Sequence, residues 1–106
     1  MRLFELKDFT RGWIIGDFDP SILRTKDFEV GVLTHTKGEF WSPHYHKIAQ
    51  EINVLLSGSM SCNGKLFAPG DIFVFDQGEV CSPIFHEDCK ILVVKIPSVI
   101  GDKYAV

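Results

Sequence analysis

The sequence predicts an all-β sandwich or closed barrel, and three observations support that prediction. The chain divides into about eight short apolar or alternating segments that are separated by turn residues. No segment keeps a 3.6-residue apolar period over the ~10–12 residues that a helix needs. The length of 106 residues, 45% of them hydrophobic, suits a single domain. We therefore expect one domain over 1–106, with its core at about 28–96 and an N-terminal arm or edge strand at 1–27.

The predicted strands follow one another with turns of only a few residues between them. In chain order they are 28–36, 40–46, 51–56, 59–62, 65–68, 71–75 and 90–96. Asn63-Gly64 is the strongest hairpin signal, and Pro69-Gly70 and Gln77-Gly78 mark further turns. The segment 13–16 is interpreted either as an edge strand or as an arm that crosses to a partner.

Composition argues against several classes of partner and compartment. The net charge is -3 and no run of Lys or Arg occurs, so neither nucleic acid nor an anionic membrane is expected as a partner. No apolar stretch approaches the ~20 residues that cross a bilayer, and the first residues become charged too early for a signal peptide, which favours the cytoplasm. Cys62, Cys81 and Cys89 are an odd set without C-x-x-C spacing, which argues against a disulfide framework and a structural zinc knuckle.

Two histidines and a glutamate form the one constellation that predicts chemistry. On a strand, residues i and i+2 face the same side, so His44 and His46 present both imidazoles to one face, with their Cα atoms ~6.5–7 Å apart. Glu51 begins the next strand after a tight connection, and an antiparallel return would place its carboxylate beside the imidazoles. Two imidazoles and a carboxylate on adjacent strands suit iron, manganese, nickel or zinc. The sequence therefore predicts one divalent metal ion bound by these three side chains.

Each of these residues also has an ordinary structural interpretation. His44 and His46 could be strand histidines that hydrogen-bond to neighbours, and Glu51 could be a buried carboxylate paired with Lys47. A glutamate in the otherwise apolar strand 51–56 is costly to bury without a cation, which favours the metal.

Three further residues are assigned by their position along the strands. Asn53 has the parity of Glu51 and is expected to face the interior as a substrate contact or as a group that orients a ligand. Phe40 has the parity of the histidines and is the aromatic residue expected to line a substrate pocket. His35 is interpreted as a solvated strand histidine, with a place in the pocket as the alternative.

The spacing of the constellation resembles the first conserved motif of the cupin superfamily. The match to G-x5-H-x-H-x4-E-x6-G holds at five fixed positions, which are Gly38, His44, His46, Glu51 and Gly58. The second cupin motif is only partly present: Gly70 and Gly78 keep their places, while Asp76 replaces its proline and Phe85 its asparagine. At the position of its fourth ligand, a histidine, this chain has Cys81.

The resemblance implies a cupin-type double-stranded β-helix, a jelly-roll-like barrel that holds one small ligand at its wide end. It also makes Cys81 a candidate fourth ligand, since a thiolate binds zinc or iron well. The alternatives are that Cys81 is a small apolar residue that closes the site, or that His86 supplies the missing imidazole from a bulged strand.

The fold does not choose among the activities of cupins, so three functions remain open. The first is a metal-dependent enzyme, a dioxygenase or an isomerase, that acts on a small polar metabolite with the ion as Lewis acid. The second is a non-catalytic module that binds or senses a small molecule, which the degenerate second motif favours. The third is a metal-free enzyme similar to sugar-nucleotide isomerases, with a histidine base and a tyrosine acid. The parity of Tyr45, which points away from His44 and His46, argues against the third.

A homodimer is the expected assembly. A chain this short with exposed strands gains stability by covering its sheet edges with a second copy, and cupins commonly assemble in this way.

Overall fold

The computed structural model describes all residues 1–106 and confirms the all-β architecture. There is no α-helix, and the N-terminal segment contains only two single-turn 3-10 helices, Leu6–Asp8 and Thr10–Gly12. No helix is long and apolar enough to cross a bilayer. The eleven strands are β1 Trp13–Gly16, β2 Leu23–Arg24, β3 Glu29–His35, β4 His44–Tyr45, β5 Gln50–Ser57, β6 Met60–Cys62, β7 Lys65–Phe67, β8 Ile72–Phe75, β9 Pro83–Phe85, β10 Cys89–Ile96 and β11 Tyr104–Ala105.

The strands form one large sheet and two small ones. The large sheet has the order β2-β1-β3-β10-β5-β8, the second has the order β7-β6-β9, and β4 pairs only with β11. Every pairing is antiparallel except that of β1 with β2. Buried side chains from both larger sheets pack into one core, which consists of Leu55, Met60, Phe85, Cys89, Ile91 and Val93.

The register of the central strands decides which side chains face this core. On β10, Val93 lies opposite Asn53 of β5, and Lys95 lies opposite Glu51. Since side chains alternate across a strand, Glu51, Asn53 and Lys95 share the inner face with the buried Val93. Three polar side chains are thereby directed into the barrel by the same alternation that builds the core.

The strand boundaries correct two predictions and add three short strands. The strand predicted over 40–46 contains only His44 and Tyr45, because the preceding residues form no sheet pairing. Trp13–Gly16 is a strand, but it is not at the edge of the sheet, since β2 covers its outer side. The short strands β2, β9 and β11 were not predicted, because two or three residues give no periodic signal.

Gly58 of the motif is required by close packing as well as by its turn. Its φ is 91°, and a Cβ atom there would lie 2.2 Å from the carbonyl oxygen of Asp88. The glycine thus lets the β5–β6 turn approach the start of β10.

Candidate functional site

A cavity of about 860 Å³ lies inside the barrel, and most of the predicted site residues line it. This volume is in the range of pockets that hold small metabolites. His46 and Asn53 are buried, with 6% and 4% of their surfaces exposed. The predicted residues that line the cavity are His44, His46, Glu51, Asn53 and Cys81.

Both histidines are oriented by backbone carbonyl groups. Nδ1 of His44 donates to the carbonyl oxygen of Ser42 at 3.2 Å, and Nδ1 of His46 donates to that of Asp102. A carbonyl oxygen only accepts, so each Nδ1 carries a proton, and Nε2 is the nitrogen of each ring that remains for a metal ion. The two ring centroids are 5.5 Å apart. The hydrogen bonds therefore fix both rings at Nδ1 and leave Nε2 as the candidate ligand atom.

The C-terminal segment fixes the turn between His46 and Glu51. The carboxylate of Asp102 is buried and accepts hydrogen bonds from the backbone N–H groups of Lys47, Ile48 and Ala49 at 2.9–3.0 Å. Burial raises the pKa of Asp102, but these hydrogen bonds lower it more, so the net pKa is below the ordinary value. Asp102 is thus an ionised residue that shapes the connection from β4 to β5.

His46 and Glu51 form the tightest contact of the site. Nε2 of His46 lies 3.3 Å from Oε2 of Glu51. The contact with Glu51 raises the pKa of His46, while burial of His44 lowers the pKa of its imidazole. Burial raises the pKa of Glu51, but the hydrogen bond from His46 and the charge of Lys95 lower it more. Without a metal, His46 and Glu51 therefore favour a charged pair. The alternative that Glu51 pairs with Lys47 is wrong, since the structure has no ion pair between them.

Cys81 lies directly opposite His44 and contacts a second thiol. The backbones of Cys81 and His44 exchange two hydrogen bonds, and the sulfur of Cys81 lies 3.7 Å from that of Cys62. The hydrogen bond between the thiols lowers the pKa of Cys62 to about 7 and raises that of Cys81. Ionisation of one thiol is therefore stabilised by the proton of the other.

The donor atoms fit a divalent metal in type and orientation, but they do not form a closed site. Two histidines with Nε2 as the available nitrogen and a carboxylate line one cavity, which is the donor set that such ions take. No three His, Cys, Asp or Glu side chains already converge as a metal-binding group. The Nε2 proton shared by His46 and Glu51 would have to leave, and the side chains would have to close on the ion.

A second polar group in the cavity consists of His35, Glu39 and Trp41. Oε2 of Glu39 accepts from Nδ1 of His35 at 2.6 Å and from Nε1 of Trp41 at 2.5 Å. The imidazole of His35 stacks on the ring of Phe85, with centroids 4.4 Å apart, and is only 13% exposed. The interpretation of His35 as a solvated histidine is therefore wrong, because β3 directs the ring inward.

Two predicted residues lie elsewhere. Phe40 is 83% exposed and does not line the cavity, because residues 40–43 are not a strand and the parity of His44 does not extend to them. Its neighbour Trp41 lines the cavity instead. His86 cannot replace Cys81 in this structure, since its ring is outside the cavity and Nε2 lies 2.9 Å from the hydroxyl oxygen of Ser61.

Four basic residues that the sequence analysis did not single out also line the cavity: Lys7, Arg11, Lys95 and Lys103. The position of Lys95 has a sequence signal, since it has the parity of the apolar residues Ile91 and Val93 on β10. Lys103 and Arg11 lie outside the long strands, and no periodic pattern indicates where they point.

Solved structures with the same architecture identify the fold. A conserved Klebsiella pneumoniae protein with a double-stranded β-helix domain aligns with a TM-score of 0.73 at 21% identity, over 99% of this chain and 91% of its own. DMSP lyase DddQ from Ruegeria pomeroyi gives a TM-score of 0.71 at 17% identity, over 93% of this chain and 54% of its own. A cupin-superfamily sugar phosphate isomerase from Silicibacter pomeroyi gives a TM-score of 0.57 at 20% identity, over 68% of this chain and 52% of its own.

These similarities confirm the double-stranded β-helix fold of the cupins for this chain. The alignments cover about half the length of the lyase and of the isomerase. No protein-family model and no curated protein matches the sequence.

Proposed function

We propose that this protein is a metal-dependent enzyme that binds one divalent ion through His44, His46 and Glu51 and acts on a small polar metabolite in the cavity. The observation that supports this most is the orientation of the imidazoles: both Nδ1 atoms are bound to carbonyl groups, while both rings line the cavity with Glu51. A bound ion would supply Lewis-acid chemistry. Proteins with this fold include a lyase and an isomerase, which agrees with the isomerase option and adds elimination to the reactions worth testing.

The residues of the chain supply binding and orientation around that ion. Asp102 and Ser42 hold the rings, and Asn53 presents a buried amide whose Nδ2 donates to the carbonyl oxygen of Phe73 at 3.4 Å, which leaves its side-chain oxygen as an acceptor. Aromatic side chains, Trp41 and Phe73 among them, form an apolar wall. Such a wall excludes water from a ligand and strengthens the polar contacts inside.

Metal titration of purified protein tests the proposal. We expect apo-protein to bind one equivalent of Mn²⁺, Zn²⁺, Fe²⁺ or Ni²⁺ in calorimetry, and His46→Ala and Glu51→Gln to weaken that binding at least tenfold. His86→Ala is the matched control, because this histidine is exposed and outside the cavity. Equal binding by wild type and His46→Ala would contradict the proposal.

Cys81 remains a prediction as the fourth ligand. Cobalt(II) gives an intense sulfur-to-metal absorption band only when a thiolate is bound. We expect this band in wild type and in Cys62→Ser, and its loss in Cys81→Ser. A wild-type complex without the band would reduce the protein ligands to three.

A second candidate function is a metal-free acid–base enzyme. The specific observation in its favour is His35, which lines the cavity and is held by the carboxylate of Glu39 as a general base would be. A tyrosine acid is missing, since Tyr45 and Tyr104 stack on each other outside the cavity, with centroids 5.6 Å apart. Turnover that survives metal removal and His46→Ala but not His35→Gln would favour this function over the first.

A further inference from the structure

The cavity contains positive charge that no carboxylate of the chain neutralises by direct contact. Of the four basic residues that line it, Lys7 pairs with Glu5 at 3.0 Å, whereas Arg11, Lys95 and Lys103 take part in none of the ion pairs of the structure. The two acidic side chains of the cavity contact other residues. Glu39 accepts hydrogen bonds from His35 and Trp41, and Glu51 contacts His46. Lys95 is half-buried, so its charge is costly there unless an anion accompanies it, while Arg11 and Lys103 are exposed residues of the same lining.

The two lysines are held in place by the only two tryptophans of the chain. Nζ of Lys95 lies 5.1 Å from the ring centroid of Trp13, and Nζ of Lys103 lies 4.0 Å from that of Trp41. Both distances are within the range of cation–π attraction. The indole rings thus stabilise the ammonium groups of Lys95 and Lys103 at the cavity wall, and the N–H donors of these ammonium groups have no carboxylate partner.

The positive groups also act on one another. Burial lowers the pKa of Lys103, and the charges of Lys95 and Arg11 lower it further. Mutual repulsion of this kind is relieved when a negative group binds between the cations. The same wall that carries Lys95 carries Glu51, its direct neighbour across β5 and β10. The positive region therefore adjoins the candidate metal ligands.

We propose that Lys95 and Lys103, assisted by Arg11, form a subsite for the carboxylate group of a small organic acid. This inference rests on the proposed function and specifies its substrate class: the polar metabolite is an anion. The volume of about 860 Å³ admits a small organic acid together with its neighbouring groups. The two ammonium groups bind the carboxylate, and the rest of the molecule lies against the aromatic wall.

Tryptophan fluorescence reports on this subsite directly, because each tryptophan contacts one of the two lysines. The probes are lactate and succinate, with lactamide and succinamide as neutral partners of nearly the same shape and inorganic phosphate as a second anion. The titrations use the full chain after metal removal. We expect saturable changes with at least one of the two acids and with neither amide. Phosphate binding without binding of either acid would overturn the assignment to a carboxylate.

Variants distinguish the subsite from general attraction to a protein surface. Lys103→Gln and Lys95→Gln are expected to raise the Kd of the acid at least tenfold. Lys90→Gln is the matched control, because Lys90 lies on the same strand β10 but is exposed and outside the cavity, and it is expected to leave the Kd unchanged. Lys103 is exposed, so its variant is expected to fold even if Lys95→Gln is destabilised.

Three further results would overturn the inference: equal responses to the acids and their amides, no response to any probe, or wild-type affinity in Lys103→Gln. These results are independent of the metal titration. If the protein binds metal but no anion, the proposed function stands and the carboxylate subsite is refuted. If it binds the acid but no metal, the subsite stands and the metal-dependent function is refuted.

Discussion

Asp102 binds His46 and the backbone that follows it, although 56 residues separate the two in the sequence. Its carbonyl oxygen accepts from the ring of His46, and its carboxylate accepts from the N–H groups of the next three residues. One residue of the C-terminal segment thus fixes both the imidazole orientation and the turn that leads to Glu51. The candidate site depends on the tail of the chain as much as on the H-x-H motif.

Removing this carboxylate is expected to destabilise the fold. Asp102→Ala leaves three backbone donors without their acceptor, and although Ala49 is buried, Lys47 and Ile48 are exposed and water can replace part of the loss, so the cost is about 1–3 kcal/mol. Urea unfolding measures the loss. Asp102→Asn, which keeps one acceptor oxygen, is expected to lose less. A free energy of unfolding for Asp102→Ala within about 0.5 kcal/mol of wild type would contradict this role.

Gly58 and Gly70 form a matched pair that separates close packing from backbone conformation. Both have positive φ, 91° and 94°, but a Cβ at Gly58 would meet the Asp88 carbonyl oxygen at 2.2 Å, while one at Gly70 would meet nothing within 4 Å. We expect Gly70→Ala to cost about 1 kcal/mol and Gly58→Ala at least about 3 kcal/mol. Thermal and urea unfolding provide the comparison. Equal losses in the two variants would show that the β5–β6 turn can move away from β10.

Glu39 is expected to make stability depend on pH in the acid range. The hydrogen bonds from His35 and then from Trp41 lower its pKa from 4.5 to about 2. Because the folded pKa is depressed, ionised Glu39 stabilises the fold fully above pH 4.5, and this contribution is lost as the pH falls towards 2. Its side chain is 31% exposed, so solvent screening limits the contribution to about 1 kcal/mol.

Urea unfolding of wild type and Glu39→Gln at pH 6 and pH 3 tests this dependence. The difference in stability between the two proteins is expected to shrink at pH 3. Glu87→Gln, at an exposed position outside the cavity, controls for the general effect of a lost carboxylate. A difference that is the same at both pH values would assign the effect of Glu39 to packing.

The homodimer remains a prediction, and the structure suggests where to test it. β8 is an edge strand of the large sheet, and its outward side chains Ile72 and Val74 are 67% and 43% exposed. An apolar edge of this kind favours pairing with a second copy. We expect a dimer in light scattering of purified protein at micromolar concentration and a monomer for Val74→Lys. Leu66→Lys, on the exposed β7, is the control, and a monomeric wild type would contradict the prediction.

The sequence predicted the fold and most of the candidate ligands, because both depend on short-range periodicity. The parity of Asn53 required only that 51–56 be a strand, and His44 and His46 line the same cavity as Asn53 although β4 ends at Tyr45. Phe40 was misplaced because the strand begins later than its apolar content indicated. Asp102 and Lys103 had no signal, since their role depends on where the tail packs against residues more than 50 positions away.

A crystal soaked in Zn²⁺ and measured at the zinc absorption edge tests the central claim most directly. The account predicts one strong anomalous peak in the cavity, within bonding distance of Nε2 of His44, Nε2 of His46 and the carboxylate of Glu51. The absence of a peak there, with the proton-bridged contact of His46 and Glu51 intact at saturating zinc, would contradict it.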